Sequence, residues 1–206
     1  LKITKCINMI NLLFPKLHKE GYRFLVIAAI ATFILLLISN FFGLLSLAVT
    51  IWIYYFFRDP ERFSINDENY LLSPADGIIS QIIETNGPQE LRLNEKKYTR
   101  VSIFMNVFDC HVNRTPSSGT VSQILYKPGK YINASLNKAS EENERNYIKI
   151  KNSNRDELIL VQIAGLIARR IVCEIKEKEE LKQGDKFGII RFGSRVDLYF
   201  ENYKLL

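Results

Sequence analysis

The chain has 206 residues, of which 47% are hydrophobic, and a formal net charge of +6. This length is sufficient for one globular domain and an additional segment. The positive charge indicates attraction to an anionic membrane rather than to nucleic acid, because no nucleic-acid-binding motif is present. The 3 cysteines lack CxxC spacing and there are only 2 histidines, so neither a disulfide framework nor a metal site is indicated.

The first predicted element is an uncharged apolar run from Phe24 to Phe57. Each charge at the bilayer centre would cost about 2.5–3.5 kcal/mol, so an uncharged run of this length indicates a membrane segment. One straight helix of this length would span about 51 Å, whereas the hydrocarbon core is about 30 Å thick. We therefore predict a membrane hairpin, with its turn at Ser39, Asn40 and Gly43, in preference to one tilted span. The run is too long for a signal peptide, and a buried core helix is a weaker alternative.

Basic residues flank this run on both sides: Lys16, Lys19, Arg23, Arg58 and Arg62. Because positive residues favour the cytoplasmic side, we expect both ends of the hairpin to stay in the cytoplasm. We divide the chain into a basic segment with a membrane hairpin, residues 1–62, and one domain, residues 63–206. The protein is thus expected in the cell membrane, with this domain on the cytoplasmic side.

After Arg58 the chain changes to short β-type runs separated by turn residues, without an internal repeat. We predict an α+β fold consisting of a mainly antiparallel β domain and the N-terminal helical hairpin. Further helical character is confined to YINASLNKASEENE after Lys130 and to a turn near residues 176–181. The predicted strands are Gly77–Glu84, Thr99–Asn106, Gly119–Tyr126, Asn146–Lys151, Leu158–Ile163, Arg170–Ile175, Phe187–Phe192 and Arg195–Phe200.

Polar residues collect at the ends of these predicted strands. They are Asp76 in SPADGIIS, Asp109, His111 and Arg114 in FDCHVNRTPSSG, Glu144 and Arg145 in NERN, and Gly193 and Ser194 in FGSR. A hydroxyl, an imidazole and carboxylates are the parts of an activated nucleophile. Each piece also has a purely structural interpretation: PADG as a turn, His111 as a half-buried histidine, and Gly193-Ser194 as a bulge or tight hairpin. Spacing alone does not decide between these interpretations.

Longer motifs cover nearly the whole chain: YYFFRDPER, SPADGIIS, VSIFMNVFDCHVNRTPSSG, KPGKYINASLNKASEENERN, VQIAGLIARRIV and GDKFGIIRFGSRVDLYF. This set resembles the phosphatidylserine decarboxylase family, in its short bacterial and archaeal form. The resemblance implies that the proenzyme cuts its own Gly193-Ser194 bond. The products would be a large chain, residues 1–193, and a small chain, residues 194–206, in which Ser194 has become a covalent pyruvoyl group.

The resemblance also implies the reaction, the decarboxylation of phosphatidylserine to phosphatidylethanolamine by a carboxy-lyase. Ser194 would attack the Gly193 carbonyl, His111 would act as the base, and Asp76 would orient His111. The pyruvoyl ketone would capture the substrate amine and accept the electrons released with carbon dioxide. Longer family members carry a second histidine where this chain has Arg114, so it stays open whether His111 serves both cleavage and decarboxylation.

The chain stops after YFENYKLL, whereas the family usually continues with strands that bear a GxxVxxGxT-like segment. We expect such a shortened C-terminus to expose a sheet edge and to shrink the core around Ser194. An inactive or non-enzymatic membrane-tethered β-domain is therefore an alternative. Archaetidylserine is an alternative substrate, and a serine hydrolase that uses Ser194 uncut is disfavoured because a GxSxG elbow is missing. A homo-oligomer is possible.

Overall fold

The computed structural model describes residues 14–62, 64, 67–131, 142–152, 156–165, 170–191 and 194–203. The chain divides into two compact units, on either side of Arg62. The first unit contains two α-helices, and the second contains two antiparallel β-sheets. This confirms the predicted fold class, a mainly antiparallel β domain with an N-terminal helical element. Most of the helical segment predicted after Lys130 lies outside the described residues.

Two apolar helices form the first unit, α1 (Tyr22–Ile38) and α2 (Asn40–Phe56). The chain reverses at Ser39, where the sequence predicts a turn. The backbone of Ser39 is extended. Thr32 of α1 is hydrogen-bonded through its hydroxyl to the hydroxyls of Ser46 and Thr50 of α2, at 2.8 and 2.9 Å. By length and composition the stretch from residue 19 to 38 could cross a membrane, and α2 is a shorter apolar helix.

Gly43 does not lie in the turn between the helices, so this part of the prediction is wrong. It lies inside α2 and is buried. A Cβ atom at this position would come within 2.8 Å of the Leu36 Cα atom in α1. The missing side chain therefore allows the two helices to approach closely, which is the usual role of small residues between apolar helices.

The second unit contains a seven-stranded sheet in the order β1-β2-β10-β6-β5-β4-β8 and a three-stranded sheet in the order β3-β9-β7. Every strand pair in the described residues is antiparallel. The strands are β1 (Ile78–Asn86), β2 (Lys97–Met105), β3 (Val112–Arg114), β4 (Gly119–Lys127), β5 (Arg145–Asn152), β6 (Glu157–Ala164), β7 (Ile171–Cys173), β8 (Glu180–Leu181), β9 (Lys186–Ile190) and β10 (Ser194–Phe200).

The sequence predicts eight of these strands, and the structure adds the short strands β3 and β8. The prediction of a helical turn near residues 176–181 is wrong, because this segment forms a tight turn that leads into β8. Lys178 in this turn has a φ of 68°, a left-handed conformation that ends regular structure. Phe192, the predicted end of β9, lies outside the described residues.

The main core lies between the two sheets. One face of the large sheet, here called the inner face, contributes Val101, Ile148 and Val196, and the small sheet contributes Phe187 and Ile190. The opposite, outer face carries a second cluster that includes Tyr98, Tyr147 and Tyr199. Strand β10 therefore has both faces covered, which explains why all of its residues are buried.

Strand β10 lies inside the large sheet, between β2 and β6. The strands at the ends of the strand order are β1 and β8. In the described residues, the strand of Ser194 is therefore not an edge strand of the large sheet. Because β10 is hydrogen-bonded to β2 on one side and to β6 on the other, a cut immediately before Ser194 would leave this strand held in the sheet on both sides.

Candidate active site

Four strands of the large sheet begin or end side by side at one end of the sheet. Met105 ends β2, Ser194 begins β10 and Ala164 ends β6, and Ser194 is paired in register with both of the others. Arg145, the first residue of β5, is paired with Ile163 of β6. The loops that leave this end carry the polar residues singled out by the sequence. Antiparallel topology thus brings the ends of strands that are far apart in the chain to one end of the sheet.

Ser194 is completely buried at the first position of β10. Side chains alternate between the faces of a strand, so Ser194 shares the inner face with Val196 and Leu198. Its hydroxyl oxygen has no hydrogen-bond partner among the described residues. An unsatisfied buried hydroxyl costs about 1–3 kcal/mol, so this oxygen does not serve to stabilise the fold and, in the described part of the chain, is not committed to another group. Gly193, the other half of the predicted cleavage site, lies outside the described residues.

His111 is also completely buried, in the loop that connects β2 to β3. Its Nδ1 atom lies 3.0 Å from the carbonyl oxygen of Asp109. A carbonyl oxygen can only accept a hydrogen bond, so Nδ1 carries a proton in this contact and the neutral ring keeps its acceptor lone pair on Nε2. The loop therefore selects the tautomer that a general base at Nε2 requires.

Asp109 shapes this loop as well as orienting the imidazole. Its Oδ2 atom accepts a hydrogen bond from the Asn106 backbone N–H at 2.9 Å, and the Asn106 side chain accepts one from Phe108 N–H at 2.7 Å. Asp109 is one of the polar residues at the predicted strand ends, but its residue type and position in the sequence predict no role for it. Because the contact to His111 comes from its main-chain carbonyl, no residue type in the sequence could have indicated it.

Asp76 is half-buried in the loop before β1, at the same end of the sheet. The next residue, Gly77, has a φ of +151°, and a Cβ atom there would overlap the Phe104 carbonyl oxygen of β2. Only glycine allows this loop to lie directly against β2. The Arg114 backbone N–H donates to the Pro74 carbonyl oxygen at 2.9 Å, so the loop of Asp76 is tied to the strand that follows His111.

A buried chain of amides links the His111 segment to the inner face of the large sheet. Gln162 Nε2 donates to Asn113 Oδ1 at 2.9 Å, and Asn146 Nδ2 donates to Gln162 Oε1 at 3.0 Å. All three side chains are at least 98% buried. Asn113 follows His111 by two residues, so this chain holds β3 over the face toward which Ser194 points. Sequence reasoning does not identify these amides, because isolated Asn and Gln residues carry no spacing signal.

Glu144 forms a second polar group at this end of the sheet. One carboxylate oxygen accepts a hydrogen bond from Tyr131 OH at 2.6 Å, and the other accepts one from Ile171 N–H at 3.2 Å. Burial and the nearby Glu144 charge raise the pKa of Tyr126. The adjacent Asn143 Nδ2 donates to the carbonyl oxygen of Ala164, the neighbour of Ser194 in β6. This group therefore braces the strand end beside Ser194.

Other candidates from the sequence point away from Ser194. Arg145 lies on the outer face, 3.3 Å from Glu90 Oε1. Arg114 Nη1 donates to the carbonyl oxygen of Gly184 at 3.0 Å.

On the outer face of β10, Arg195 Nε lies 2.9 Å from Asp197 Oδ1 in an almost completely buried ion pair. Removing one member of this pair would leave the other charge buried without its partner, which typically costs about 3–5 kcal/mol, so Arg195 and Asp197 depend on each other on the face of β10 opposite Ser194.

The described residues contain no group of three or more His, Cys, Asp and Glu side chains that could hold a metal ion. Cys110 and Cys173 are free thiols. Burial raises the pKa of the Cys173 thiol, which disfavours the reactive thiolate. At this end of the sheet, the described part of the chain thus brings together the Ser194 hydroxyl, the His111 imidazole, the adjacent Cys110 thiol and the Asp76 carboxylate.

Comparison with known proteins identifies the class to which this arrangement belongs. The family model described as phosphatidylserine decarboxylase matches residues 49–205. A phosphatidylserine decarboxylase proenzyme of Pelagibacter ubique is 63% identical over 198 residues, which cover 96% of this chain and 92% of the relative. The proenzyme of Cereibacter sphaeroides is 48% identical over 193 residues, covering 94% and 83%. That of Ruegeria pomeroyi is 49% identical over 183 residues, covering 89% and 84%.

The class defined by these matches is that of the carboxy-lyases, enzymes that remove a carboxyl group as carbon dioxide. The chain belongs to the phosphatidylserine decarboxylase family. This confirms the resemblance inferred from the motifs and the prediction that the protein is an enzyme. It disfavours the serine hydrolase alternative, since the matched family carries out a different reaction.

Proposed function

We propose that this chain is a proenzyme that cuts its own Gly193-Ser194 bond, converts Ser194 into a covalent pyruvoyl group and then decarboxylates phosphatidylserine to phosphatidylethanolamine. The observation that carries the proposal is the buried Ser194 hydroxyl, which has no hydrogen-bond partner among the described residues, at the start of an internal strand. The relatives that are named proenzymes support maturation by cleavage.

Self-cleavage starts at the Ser194 hydroxyl. His111 Nε2 accepts the hydroxyl proton, and Ser194 Oγ bonds to the Gly193 carbonyl carbon. The bond from that carbon to the Ser194 nitrogen breaks and the nitrogen takes up the proton, so an amide becomes an ester without loss of atoms. Removal of the Ser194 Cα proton then expels the Gly193 carboxylate. Addition of water and release of ammonia leave a keto group on residue 194.

The surroundings of His111 suit this proton transfer. The Asp109 carbonyl holds the proton on Nδ1, 3.0 Å away, which directs Nε2 toward the base function. The half-buried Asp76 brings a negative charge to the same end of the sheet, which favours the imidazolium that forms when Nε2 takes the proton. Asp76 and His111 thus act on Ser194 in the manner of a carboxylate, an imidazole and a hydroxyl in acyl transfer.

The residues around Ser194 also fit a small buried keto group. Its neighbours in the sheet are Met105 and Ala164, which are fully buried. Loss of the hydroxyl removes a polar group that lacks a partner in the described structure, so the conversion does not break an observed hydrogen bond. When formed, the pyruvoyl group supplies an electrophile for the substrate amine and accepts the electrons released with carbon dioxide. His111 would deliver the proton to the carbon that loses its carboxylate.

The helices of the first unit suit a lipid substrate. We expect α1 and α2 to insert in the cell membrane, with the β-sheet unit on the cytoplasmic side, because basic residues flank both helices. Deletion of residues 24–57 should abolish flotation of the protein with phosphatidylserine-containing vesicles. Unchanged flotation of the deletion variant, with the full-length chain as control, would contradict the anchor.

Denaturing mass spectrometry of the purified full-length protein tests the proposed maturation. We expect two pieces, one that ends at residue 193 and one that begins at residue 194, and the second piece should be lighter than the unmodified peptide by one molecule of ammonia. Decarboxylation of phosphatidylserine should accompany these masses. A single intact chain that nevertheless releases carbon dioxide from the lipid would refute the proposed prosthetic group.

A further inference from the structure

Glu144 lies on the inner face of the large sheet, in the same row of residues as Ser194. The Ala164 backbone N–H donates to the Glu144 carbonyl oxygen at 3.0 Å, so Glu144 extends β5 opposite Ala164, which is itself paired with Ser194. The next residue, Arg145, is on the outer face, so the Glu144 side chain is on the inner face. Adjacent strands are about 4.8 Å apart, so the Cα atoms of Glu144 and Ser194 are separated by about 10 Å.

The Glu144 carboxylate connects the large sheet to the small sheet at this end. Its Oε1 atom accepts a hydrogen bond at 3.2 Å from the backbone N–H of Ile171, the first residue of β7. Its Oε2 atom accepts a hydrogen bond from Tyr131 OH at 2.6 Å. The residue is only 3% exposed. Because both oxygens accept hydrogen bonds, the carboxylate has a fixed orientation, and the position of Ile171 relative to the large sheet depends on it.

The predicted cleavage site joins the same two sheets. Ile190 ends β9 in the small sheet, and Ser194 begins β10 in the large sheet. Ile171 is paired with Ile190, and the Arg191 backbone N–H donates to the Arg170 carbonyl oxygen at 3.2 Å. The strand that Glu144 Oε1 holds is therefore the strand that holds the chain on the N-terminal side of the bond to be cut.

Hydrogen bonds thus lead from Glu144 to the chain on both sides of that bond. Through its main chain, Glu144 is bonded to Ala164, the neighbour of Ser194. Through its carboxylate, it is bonded to Ile171, the neighbour of Ile190. The attacking oxygen and the carbonyl carbon must lie about 3–3.5 Å apart, and a misplacement of about 1 Å can lower the rate about 10²-fold. The separation of the two sheets at this end therefore controls the attack.

We propose that Glu144 is a positioning residue for self-cleavage, which holds β7 of the small sheet at a fixed distance from the strand end that carries Ser194. The inference rests on the proposed function, because that function supplies the attack by the Ser194 hydroxyl. The role requires an oxygen that accepts a hydrogen bond from Ile171 N–H, and it requires no contact between Glu144 and Ser194. After the cut, β9 is no longer joined to β10. Glu144 therefore acts on the formation of the pyruvoyl group and not on its later reaction.

Three substitutions in the full-length chain separate the hydrogen bond from packing. Glu144→Met has a similar length but lacks the carboxylate oxygens, and it should slow chain scission about 10²-fold. Glu144→Gln keeps an oxygen that can accept from Ile171 N–H, and its amide can donate to Tyr131 OH, so scission should stay close to the wild-type rate. The control Glu142→Met removes an exposed carboxylate that pairs with Lys130, and it should be cut at the wild-type rate.

Two further measurements distinguish positioning from a general loss of folding. In the uncut Ser194→Ala chain, the additional change Glu144→Met should speed hydrogen exchange of the Ile171 amide, while the amides of β10 continue to exchange slowly. Once Glu144→Met has been cut, its kcat for phosphatidylserine should equal that of the wild type, when it is expressed per mole of the modified piece that begins at residue 194.

Scission of Glu144→Met at the wild-type rate would overturn the inference, and so would equal slowing in Glu144→Met and Glu144→Gln. Fast exchange of the β10 amides in Glu144→Met would also overturn it, because Glu144 would then support the whole sheet. Normal self-cleavage of the wild type in the same experiments would show that the proposed function survives, whereas a wild-type chain that is never cut would refute that function itself.

Discussion

Ser194→Ala is expected to yield a single uncut chain without decarboxylase activity. Alanine lacks the oxygen that attacks the Gly193 carbonyl, so neither the ester nor the keto group can form. The substitution removes a hydroxyl that has no hydrogen-bond partner in the described structure, so the free energy of unfolding should not fall. Gel electrophoresis and denaturing mass spectrometry measure the cut, and carbon dioxide release from labelled phosphatidylserine measures activity.

Ser102→Ala is a matched control for this substitution. Ser102 is also completely buried in the large sheet, and its hydroxyl likewise lacks a partner among the described residues. It is paired with Asp197 of β10, on the face opposite Ser194. We expect this variant to be cut and active like the wild type. Normal turnover in Ser194→Ala, or equal loss in both variants, would contradict a specific chemical role for Ser194.

His111→Ala is expected to slow self-cleavage by about 10²–10⁴-fold, the usual contribution of a positioned general base. The proposed base is this buried imidazole, which the loop orients through the Asp109 carbonyl, and alanine can neither accept nor return the Ser194 proton. The time course of chain scission after synthesis measures the effect. Circular dichroism of the uncut variant verifies that the β-sheet unit is folded.

His18→Ala provides the control, because it removes the other histidine of the chain from the N-terminal unit. We expect it to be cut at the wild-type rate. If His111→Ala is folded and is cut at the normal rate, another residue is the base. If only its decarboxylation is lost after normal cleavage, His111 acts in the second reaction and not in the first.

Several elements could be predicted because local signals in the sequence agree with the tertiary structure. Alternating and continuous apolar runs predict the long strands β1, β2, β4, β5 and β6, all of which are present. The sequence does not predict the short strand β3, because in the described part of the chain its three residues pair with β9, which is distant in the chain. The sequence predicts the wrong position for Gly43, because a glycine near a reversal suggests a turn, whereas here it permits close packing of two helices.

The candidate site shows the same division at the level of single residues. Motifs identify the residue types at positions 76, 111, 193 and 194, and the family comparison agrees with the family that these motifs suggest. They do not indicate that Asp109 orients His111 through a main-chain carbonyl, or that Asn113 and Gln162 hold this segment on the inner face. Such contacts depend on backbone positions brought together by folding, and no residue pattern records them.

By itself, the sequence determined the uncharged apolar hairpin, the mainly antiparallel β domain, the family and the serine at which its chemistry is expected. These properties depend on hydrophobicity, charge and residue type, which are local and can be read along the chain. Only the tertiary structure decided that β10 lies between β2 and β6 and that the Ser194 hydroxyl is buried. Those properties depend on strand order and register, which are set by packing between segments distant in sequence.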